Sequence, residues 1–467
     1  MINGMIVDKS YQAVTGRKGE IIEKAMGIDY SQYESGSIAF DYEALMNGTG
    51  YSLEDHIRIQ REFNVGNTPI FELHNLTALA RKYAKPGKGA RIFVKDEASN
   101  PAGSFKERRA ATSVYHAKKM GYKGVIAATS GNYGAAVASQ AAMQGLKCII
   151  VQECYDSKQS GQPEIIEKAR KCEALGAEVL QHHELFYEVL MMLEETGYFN
   201  ASLYSAFGVG GVETLGWELG HQFKERYGRN PDVVVCANAG GGNLTGTARG
   251  LKKAGCNAQV VAASVDLKGL SMASDAQFNR KSFTTAHTGF GVPYATDPDH
   301  SDVPRSAARP LRYMDRYVTV KQGEVFYITE ALATLEGMEK GPAGNTSLAA
   351  AFSLAQELDE DQIIVAQETE YTGAGKHIQP QLAFARQNGI ELLFGDPATE
   401  VPGTNIVFPA DPSLLKARDV DIDHMRTSLI RRQVSRAKGP LTEADIAYLM
   451  EETNSSRAFV ENVLKNL

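Results

Sequence analysis

The chain has 467 residues, 43% of them hydrophobic and 22% charged, with a formal net charge of -7 and a pI near 5.9. That length exceeds the roughly 250 to 300 residues that one hydrophobic core serves, so two domains with extensions are expected. The acidic balance gives no general field for nucleic acid or an anionic membrane, and no apolar run approaches the roughly 18 residues that span a bilayer. Asp8 stands where a signal peptide would be apolar, so a cytoplasmic protein is expected.

In chain order, the first sixty residues read as helical and polar, without an interpretable motif. From Arg91 the pattern alternates short apolar runs with helical stretches: Arg91 to Lys95, a helix through Ala110 to Lys119, Gly124 to Ala128, a helix through Gly134 to Met143, Cys148 to Gln152, a helix from Pro163 to Leu175, and Ala177 to Gln181. A second series follows, with Asp232 to Ala237, a helix after Gly246, Gln259 to Val265, helices near Val325 to Glu336 and Ser347 to Leu358, and the strand Gln362 to Gln367. Repeated β-α-β units with doubly buried strands predict parallel sheets, and two such series predict a cleft between them. Beyond about Pro409 the tail changes character, with Arg431, Arg432, Arg436 and Lys438 ahead of Thr442, Glu443 and a helical pattern through Leu449. A helical appendage is expected, packed on the body or on a partner, its basic run read first as solvated surface. Cys148, Cys154, Cys172, Cys236 and Cys256 form no Cys-x-x-Cys pair and read as reduced core thiols, and His182 and His183 read as a strand end rather than a metal site.

Four segments at predicted strand ends carry chemistry. In Asn100-Pro101-Ala102-Gly103-Ser104-Phe105-Lys106-Glu107-Arg108 a lysine falls near a helix N-terminus, where partial positive charge and burial lower an amine's pKa and favour the neutral form that Schiff-base formation needs. In Thr129-Ser130-Gly131-Asn132-Tyr133-Gly134 the backbone N–H groups and the Ser130 hydroxyl can hold a carboxylate at a helix start. In Asn238-Ala239-Gly240-Gly241-Gly242-Asn243-Leu244-Thr245-Gly246 successive glycines free the backbone to form a nest around a phosphate. A dinucleotide reading, suggested by Asp266 at the end of the next strand, fails because Thr245 stands where the third glycine belongs. In Glu370-Tyr371-Thr372-Gly373-Ala374-Gly375-Lys376 a hydroxyl at the sheet edge could face a pyridine nitrogen.

At these residues the chain resembles the fold-type II pyridoxal-phosphate (PLP) enzymes, a tryptophan-synthase-β-like group. Ser104 to Arg108 and Thr372 to Gly375 look most like threonine synthase. The resemblance implies two three-layer α/β domains with the cofactor in the cleft between them. Lys106 is then the catalytic Schiff-base lysine, Asn132 the partner of the cofactor phenolate oxygen, Gly240, Gly241, Gly242, Asn243 and Leu244 the phosphate cradle, and Thr372 the ring-nitrogen partner. Ser104, Thr129, Ser130 and Gly131 are the expected substrate contacts. The expected division is an N-terminal extension over 1–60, a larger PLP domain over 61–100 and 206–410, a smaller domain over 101–205, and a C-terminal extension over 411–467.

Over nearly its full length the chain resembles a narrower family, the β subunits of 2-amino-4-oxopentanoate thiolase. The stretches that carry this are Ile28-Asp29-Tyr30, Gln152-Glu153-Cys154-Tyr155-Asp156, Asp302-Val303-Pro304-Arg305-Ser306-Ala307-Ala308-Arg309-Pro310 and Gly341-Pro342-Ala343-Gly344-Asn345-Thr346. The resemblance implies cleavage of 2-amino-4-oxopentanoate by coenzyme A to acetyl-CoA and alanine, in ornithine degradation, with a small α subunit as partner in a hetero-oligomer. The tail and the first sixty residues are then the expected docking surface, with packing on the chain's own body as the alternative. Arg305, Arg309 and Arg312 read first as structural salt bridges and second as contacts for CoA phosphates or the substrate carboxylate. A threonine-synthase-like replacement or elimination enzyme is the competing reading. A non-catalytic subunit that has kept the fold is a third, opposed by the joint presence of Lys106, Asn132, the glycine loop and Thr372.

Overall fold

A computed structural model describes residues 8–129, 131–152, 161, 163–182, 184–267, 282–284, 292–371 and 378–467. Its larger sheet has seven strands, in the order Arg418–Asp419, Arg316–Val320, Gln259–Val265, Val233–Ala237, Ile363–Glu368, Arg91–Asp96 and Ile70–Glu72. All neighbours are parallel except the two outermost pairs. The central strands read as unbroken apolar runs because both faces are covered. Val233 and Val235 pack with Val325, Ile328, Leu348 and Phe352 of the helices Gln322–Glu336 and Pro342–Ala355. Val234 and Cys236 point the other way, toward Leu219, Phe223, Leu244 and Leu251 of the helices Ala206–Tyr227 and Gly242–Lys253.

The smaller sheet is parallel throughout, with strands Glu178–Gln181, Lys147–Gln152, Gly124–Thr129 and Phe199–Asn200 side by side. The chain leaves the larger sheet after Arg91–Asp96, builds the smaller one, and returns through Ala206–Tyr227 to Val233–Ala237. The C-terminal ends of Arg91–Asp96, Gly124–Thr129, Val233–Ala237 and Ile363–Glu368 each lead into one of the four segments singled out above, the position where open α/β sheets bind ligands.

The long helix Ala206–Tyr227 escapes a reading by periodicity because five glycines interrupt it. Their purpose is close approach: a Cβ on Gly216 would stand 2.0 Å from the Thr247 carbonyl oxygen, and one on Gly250 would stand 1.9 Å from that of Glu213. The two helices covering one face of the large sheet thus pack backbone to backbone, and the second of them begins at the glycine nest. Cys148, Cys172, Cys236 and Cys256 are buried free thiols, and burial pushes the Cys236 thiol up to about 12. Cys154 and His183 lie outside the described residues, as does most of the stretch from Gln152 to Asp156. Among the described residues no helix is long and apolar enough to cross a membrane.

Both extensions are packed on the chain's own body. Arg17 grips Glu194 of the helix Leu185–Thr196 with Nε at 2.6 Å and Nη2 at 2.7 Å. In the tail, Arg432 and Arg436 donate to Asp297 at 2.8 and 2.9 Å, so part of the basic run is half-exposed ion pairing rather than free surface. The three arginines of the 302–310 region and its continuation are likewise internal: Arg305 and Arg309 meet Asp299, and Arg312 meets Glu452 of the helix Glu443–Thr453 at 2.6 Å. The two termini clasp each other at Asp445, whose carboxylate accepts from the backbone N–H groups of Ser37, Ile38, Ala39 and Thr442 at 2.7 to 3.0 Å. Burial works against that charge, but the backbone donors outweigh it and hold the carboxyl well below its usual range. Asp445→Ala strands these donors and should cost about 3 kcal/mol, seen as a lower thermal midpoint and faster proteolytic release of the tail. An unchanged midpoint would mean that the clasp contributes nothing.

Candidate active site

The turn before Lys106 is stitched to the end of the strand Ile363–Glu368. Gly103 takes a φ of +79°. Its carbonyl accepts from the Tyr371 N–H at 2.9 Å, while the Phe105 N–H donates to the Thr369 carbonyl at 3.1 Å. Lys106 is the first residue of the helix Lys106–Lys119, and its Nζ stands 5.1 Å from the Phe105 ring centroid. Burial lowers its pKa to about 7, and the neighbouring charges of Lys168 and Arg109 add to the effect against Glu370 and Glu164. Lys168 is the opposite case: burial opposes its charge, but Glu164 and Glu370 outweigh it and raise the pKa above the ordinary value. The opposite shifts suit Lys106 to a neutral amine and Lys168 to a fixed cation. Arg108, within the same motif, is structural: fully buried, it binds Glu97 at 2.7 Å and reaches Glu218 at 3.2 Å.

The glycine loop is pressed from three sides. A Cβ on Gly240 would meet the Tyr204 hydroxyl at 2.8 Å, one on Gly241 would meet Pro310 at 2.6 Å, and one on Gly242 would meet Arg109 Nη2 at 2.5 Å. Gly241 also takes a φ of +84° at the N-cap of the helix Gly242–Lys253. Only glycines allow both the turn and the close walls. The first N–H groups of that helix have no partner within it and point toward the cleft with the positive end of the dipole. Asn243 is engaged through its side chain, donating to Gln367 at 2.8 Å, and Leu244 is buried. The Arg309 N–H donates to Thr245 at 2.9 Å, so the 302–310 stretch serves as a wall of the loop.

Arg109 faces this nest from the helix Lys106–Lys119. It is 3% exposed, gives one hydrogen bond to the Leu203 carbonyl at 3.0 Å, and has no carboxylate partner among the described residues. Its Nε also lacks a partner among them, and burial pulls the guanidinium down to about 10. A buried cation of this kind calls for an anion.

The third segment closes the site. Thr129 Oγ1 accepts from the N–H groups of Gly131 and Gly134 at 2.8 and 2.9 Å, which folds the loop and leaves only the hydroxyl proton for a ligand. Gly131 lies against Lys168, where a Cβ would stand 2.2 Å from the side chain. Asn132 opens the helix Asn132–Gln144 and donates to Glu370 at 3.4 Å. Ser104 is fully buried, with a hydroxyl that has no partner among the described residues. Ser130 and Thr372 lie outside the described residues.

The structure therefore brings Ser104, Lys106, Gly131, Asn132 and the wall of the glycine loop together, and it adds residues that the motifs did not single out. Arg109 was within reach of sequence reasoning, since it lies three residues after Lys106 and so on the same helix face. Lys168, Glu164 and Glu368 come from other elements and no local pattern announces them, while Glu370 opens the fourth segment, where the sequence alone assigns it no role of its own.

A protein-family model described as "Pyridoxal-phosphate dependent enzyme" matches residues 61–369. The chain belongs to that family, and it has the fold-type II architecture. Among curated proteins, the 2-amino-4-ketopentanoate thiolase beta subunit of Acetoanaerobium sticklandii is 69% identical, over 99% of this chain and 100% of its own length. A second protein of that name, from an unknown prokaryotic organism, is 61% identical over 99% of each. At that identity over that length, the chain is a member of this beta-subunit family. A solved threonine deaminase from T.th. aligns with a TM-score of 0.52 and 24% identity, covering 68% of this chain and 98% of its own, which speaks to the fold.

The residues present fit the cofactor. An amine made neutral by desolvation, a glycine nest at a helix N-terminus, and a buried guanidinium without a counter-charge among the described residues together match an aldehyde and a phosphate. Arg109→Met should then weaken PLP binding about 10- to 100-fold, the worth of one charge-assisted hydrogen bond. Fluorescence titration of the apoprotein measures it, and an unchanged affinity would move the phosphate away from this cradle.

Proposed function

We propose that the chain is the catalytic subunit of a two-subunit enzyme that cleaves 2-amino-4-ketopentanoate with coenzyme A, giving acetyl-CoA and alanine. The observation that carries this reading is the 69% identity to a 2-amino-4-ketopentanoate thiolase beta subunit along the whole chain, both extensions included. By contrast, a threonine synthase of Halalkalibacterium halodurans is 30% identical over only 40% of the chain.

Bound pyridoxal phosphate supplies an electron sink for the bonds that must break in the amino acid. The remaining work belongs to side chains. Lys106, its amine pKa lowered by burial, would hold the cofactor and move the α proton of the substrate. Gly240 to Leu244 and Arg109 would bind the phosphate, Asn132 would orient the phenolate oxygen, and Thr372 would serve the ring nitrogen. Ser104, Thr129, Ser130 and Gly131 receive the substrate carboxylate, with Lys168 as the nearby fixed cation. The name of the relatives, a beta subunit, favours a hetero-oligomer with a small α subunit as the partner chain. Since the arginines near residue 309 are engaged in internal ion pairs, coenzyme A recognition falls to other residues or to the partner.

The test is acetyl-CoA formation from the amino-ketone and coenzyme A, measured with this chain alone and with its partner subunit. The expected result is full thiolysis with both chains and slow or absent thiolysis with one. No acetyl-CoA from the complete pair would overturn the assignment, and a full rate from this chain alone would overturn the two-subunit reading.

A further inference from the structure

Two buried carboxylates stand in the cleft wall, and the site described so far has no use for them. Glu368 ends the strand Ile363–Glu368 and Glu370 follows two residues later, on the same side by the period of an extended chain. They are 0% and 1% exposed. Among the described residues Glu368 has no side-chain partner, only the backbone N–H of Glu370 beside it. Glu370 Oε1 has none there either, while its Oε2 accepts from Asn132 at 3.4 Å. The backbone of Glu370 bridges that of Ser104, two residues before Lys106, so its carboxylate lies beside the lysine that carries the cofactor.

The chain makes room for this pair. Both carboxylates press on the start of the helix Pro342–Ala355, where a Cβ on Gly341 would stand 1.8 Å from Glu370 Oε1 and one on Gly344 would stand 1.9 Å from Glu368 Oε1. Gly341 has an ordinary φ of -74°, so glycine is required there for space and not for conformation. The stretch Gly341-Pro342-Ala343-Gly344-Asn345-Thr346, which otherwise lacks a role, thereby becomes the seat of two acids. Burial raises the Glu368 carboxyl well above its ordinary range, with the charges of Glu370 and Asp96 adding to that effect. Glu370 faces the amine of Lys106 and the cation of Lys168. A purely structural residue would have both oxygens satisfied, because a buried acceptor without a donor costs about 1 to 3 kcal/mol.

We propose that Glu370 is the proton carrier of the cleavage, taking the proton from the thiol of coenzyme A and returning it to carbon 3 of the substrate; this rests on the thiolytic reading above. The step balances. The S–H bond breaks and its proton passes to the Glu370 carboxylate, and the sulfur forms a bond to the C4 carbonyl carbon. The C3–C4 bond then breaks, its electron pair stays on C3, and the proton on Glu370 moves there, so the thiol hydrogen becomes one of the methyl hydrogens of alanine. No oxidant or further reactant is needed. Lys106 remains responsible for the α proton, and the two carbons are served by two different groups.

The experiment uses the holoenzyme with its partner subunit and compares wild type with Glu370→Gln, which keeps an acceptor for Asn132 but cannot carry the proton. Thiolysis should fall about 10²- to 10⁴-fold in kcat. Cofactor loading on Lys106 should persist, and exchange of the alanine α hydrogen with deuterated solvent should fall far less than thiolysis, since neither uses the thiol. Gly341→Ala, which displaces the carboxylate without removing it, should show the same selective loss, and Glu370→Asp a partial recovery. Wild-type thiolysis in Glu370→Gln would overturn the proposal and leave the thiolytic reading intact. Parallel loss of cofactor loading and α exchange would overturn it by making Glu370 a support of the cofactor site. If wild type itself forms no thioester, the thiolytic reading fails and the proposal with it.

Discussion

The structure depends on buried basic side chains gathered between the two sheets, of which Arg109 has no carboxylate partner among the described residues. Lys106, Arg109 and Lys168 converge there, and the helices Lys106–Lys119, Asn132–Gln144, Gly242–Lys253 and Pro342–Ala355 all begin there. Each helix start adds unpaired N–H groups and partial positive charge. Glu164 and Glu370 balance Lys168, but Arg109 has no such partner among the described residues. An anionic ligand would complete this arrangement, and the phosphate of the cofactor would supply the missing charge beside Arg109. The same field has a second consequence, because the amine of Lys106, placed among cations and removed from water, loses its proton near neutrality.

The rest of the chain holds these groups in place. The buried Arg108 pairs with Glu97 and Glu218 and ties the lysine helix to the larger sheet. Glu107, pushed up to about 7 by burial, accepts from Gln140 and from the Ala102 N–H, and so ties the preceding turn to the neighbouring helix. The 302–310 stretch lies against the glycine loop through Pro310 and Arg309, and Arg309 and Arg312 in turn reach Glu452 in the tail. The C-terminal extension is therefore linked to the glycine loop through one chain of contacts. A partner that engages the tail from outside would act on the glycine loop by that route.

How much of this is legible in the sequence depends on whether the signal is local. The alternation of apolar runs predicts both parallel sheets, and Gln259–Val265 falls where the spacing places it. The lysine after Ser104-Phe105 and the three glycines after Ala239 are local events at strand ends, so their positions are readable. The glycine-interrupted helix Ala206–Tyr227 is not, because its periodicity is broken by the very residues that let it pack. Arg109 is readable only once the lysine helix is placed. Lys168 and Glu370 reach the site from elements distant in sequence, so their pairing is a property of the fold. The string from Gly341 to Thr346 is conspicuous as a sequence but acquires a meaning only when Glu368 and Glu370 are seen against it. The tail is readable as helical, whereas its attachment through Asp445, Arg432 and Arg436 depends on partners far away in the chain.

The central claim is that desolvation among cations selects Lys106, and not the neighbouring buried Lys168, as the amine that carries the cofactor. Borohydride reduction of the PLP-loaded protein followed by peptide mapping tests it directly. The account predicts a single pyridoxyl group on Lys106, with Lys168 unlabelled. A pyridoxyl group on Lys168, or on any other lysine, would contradict it.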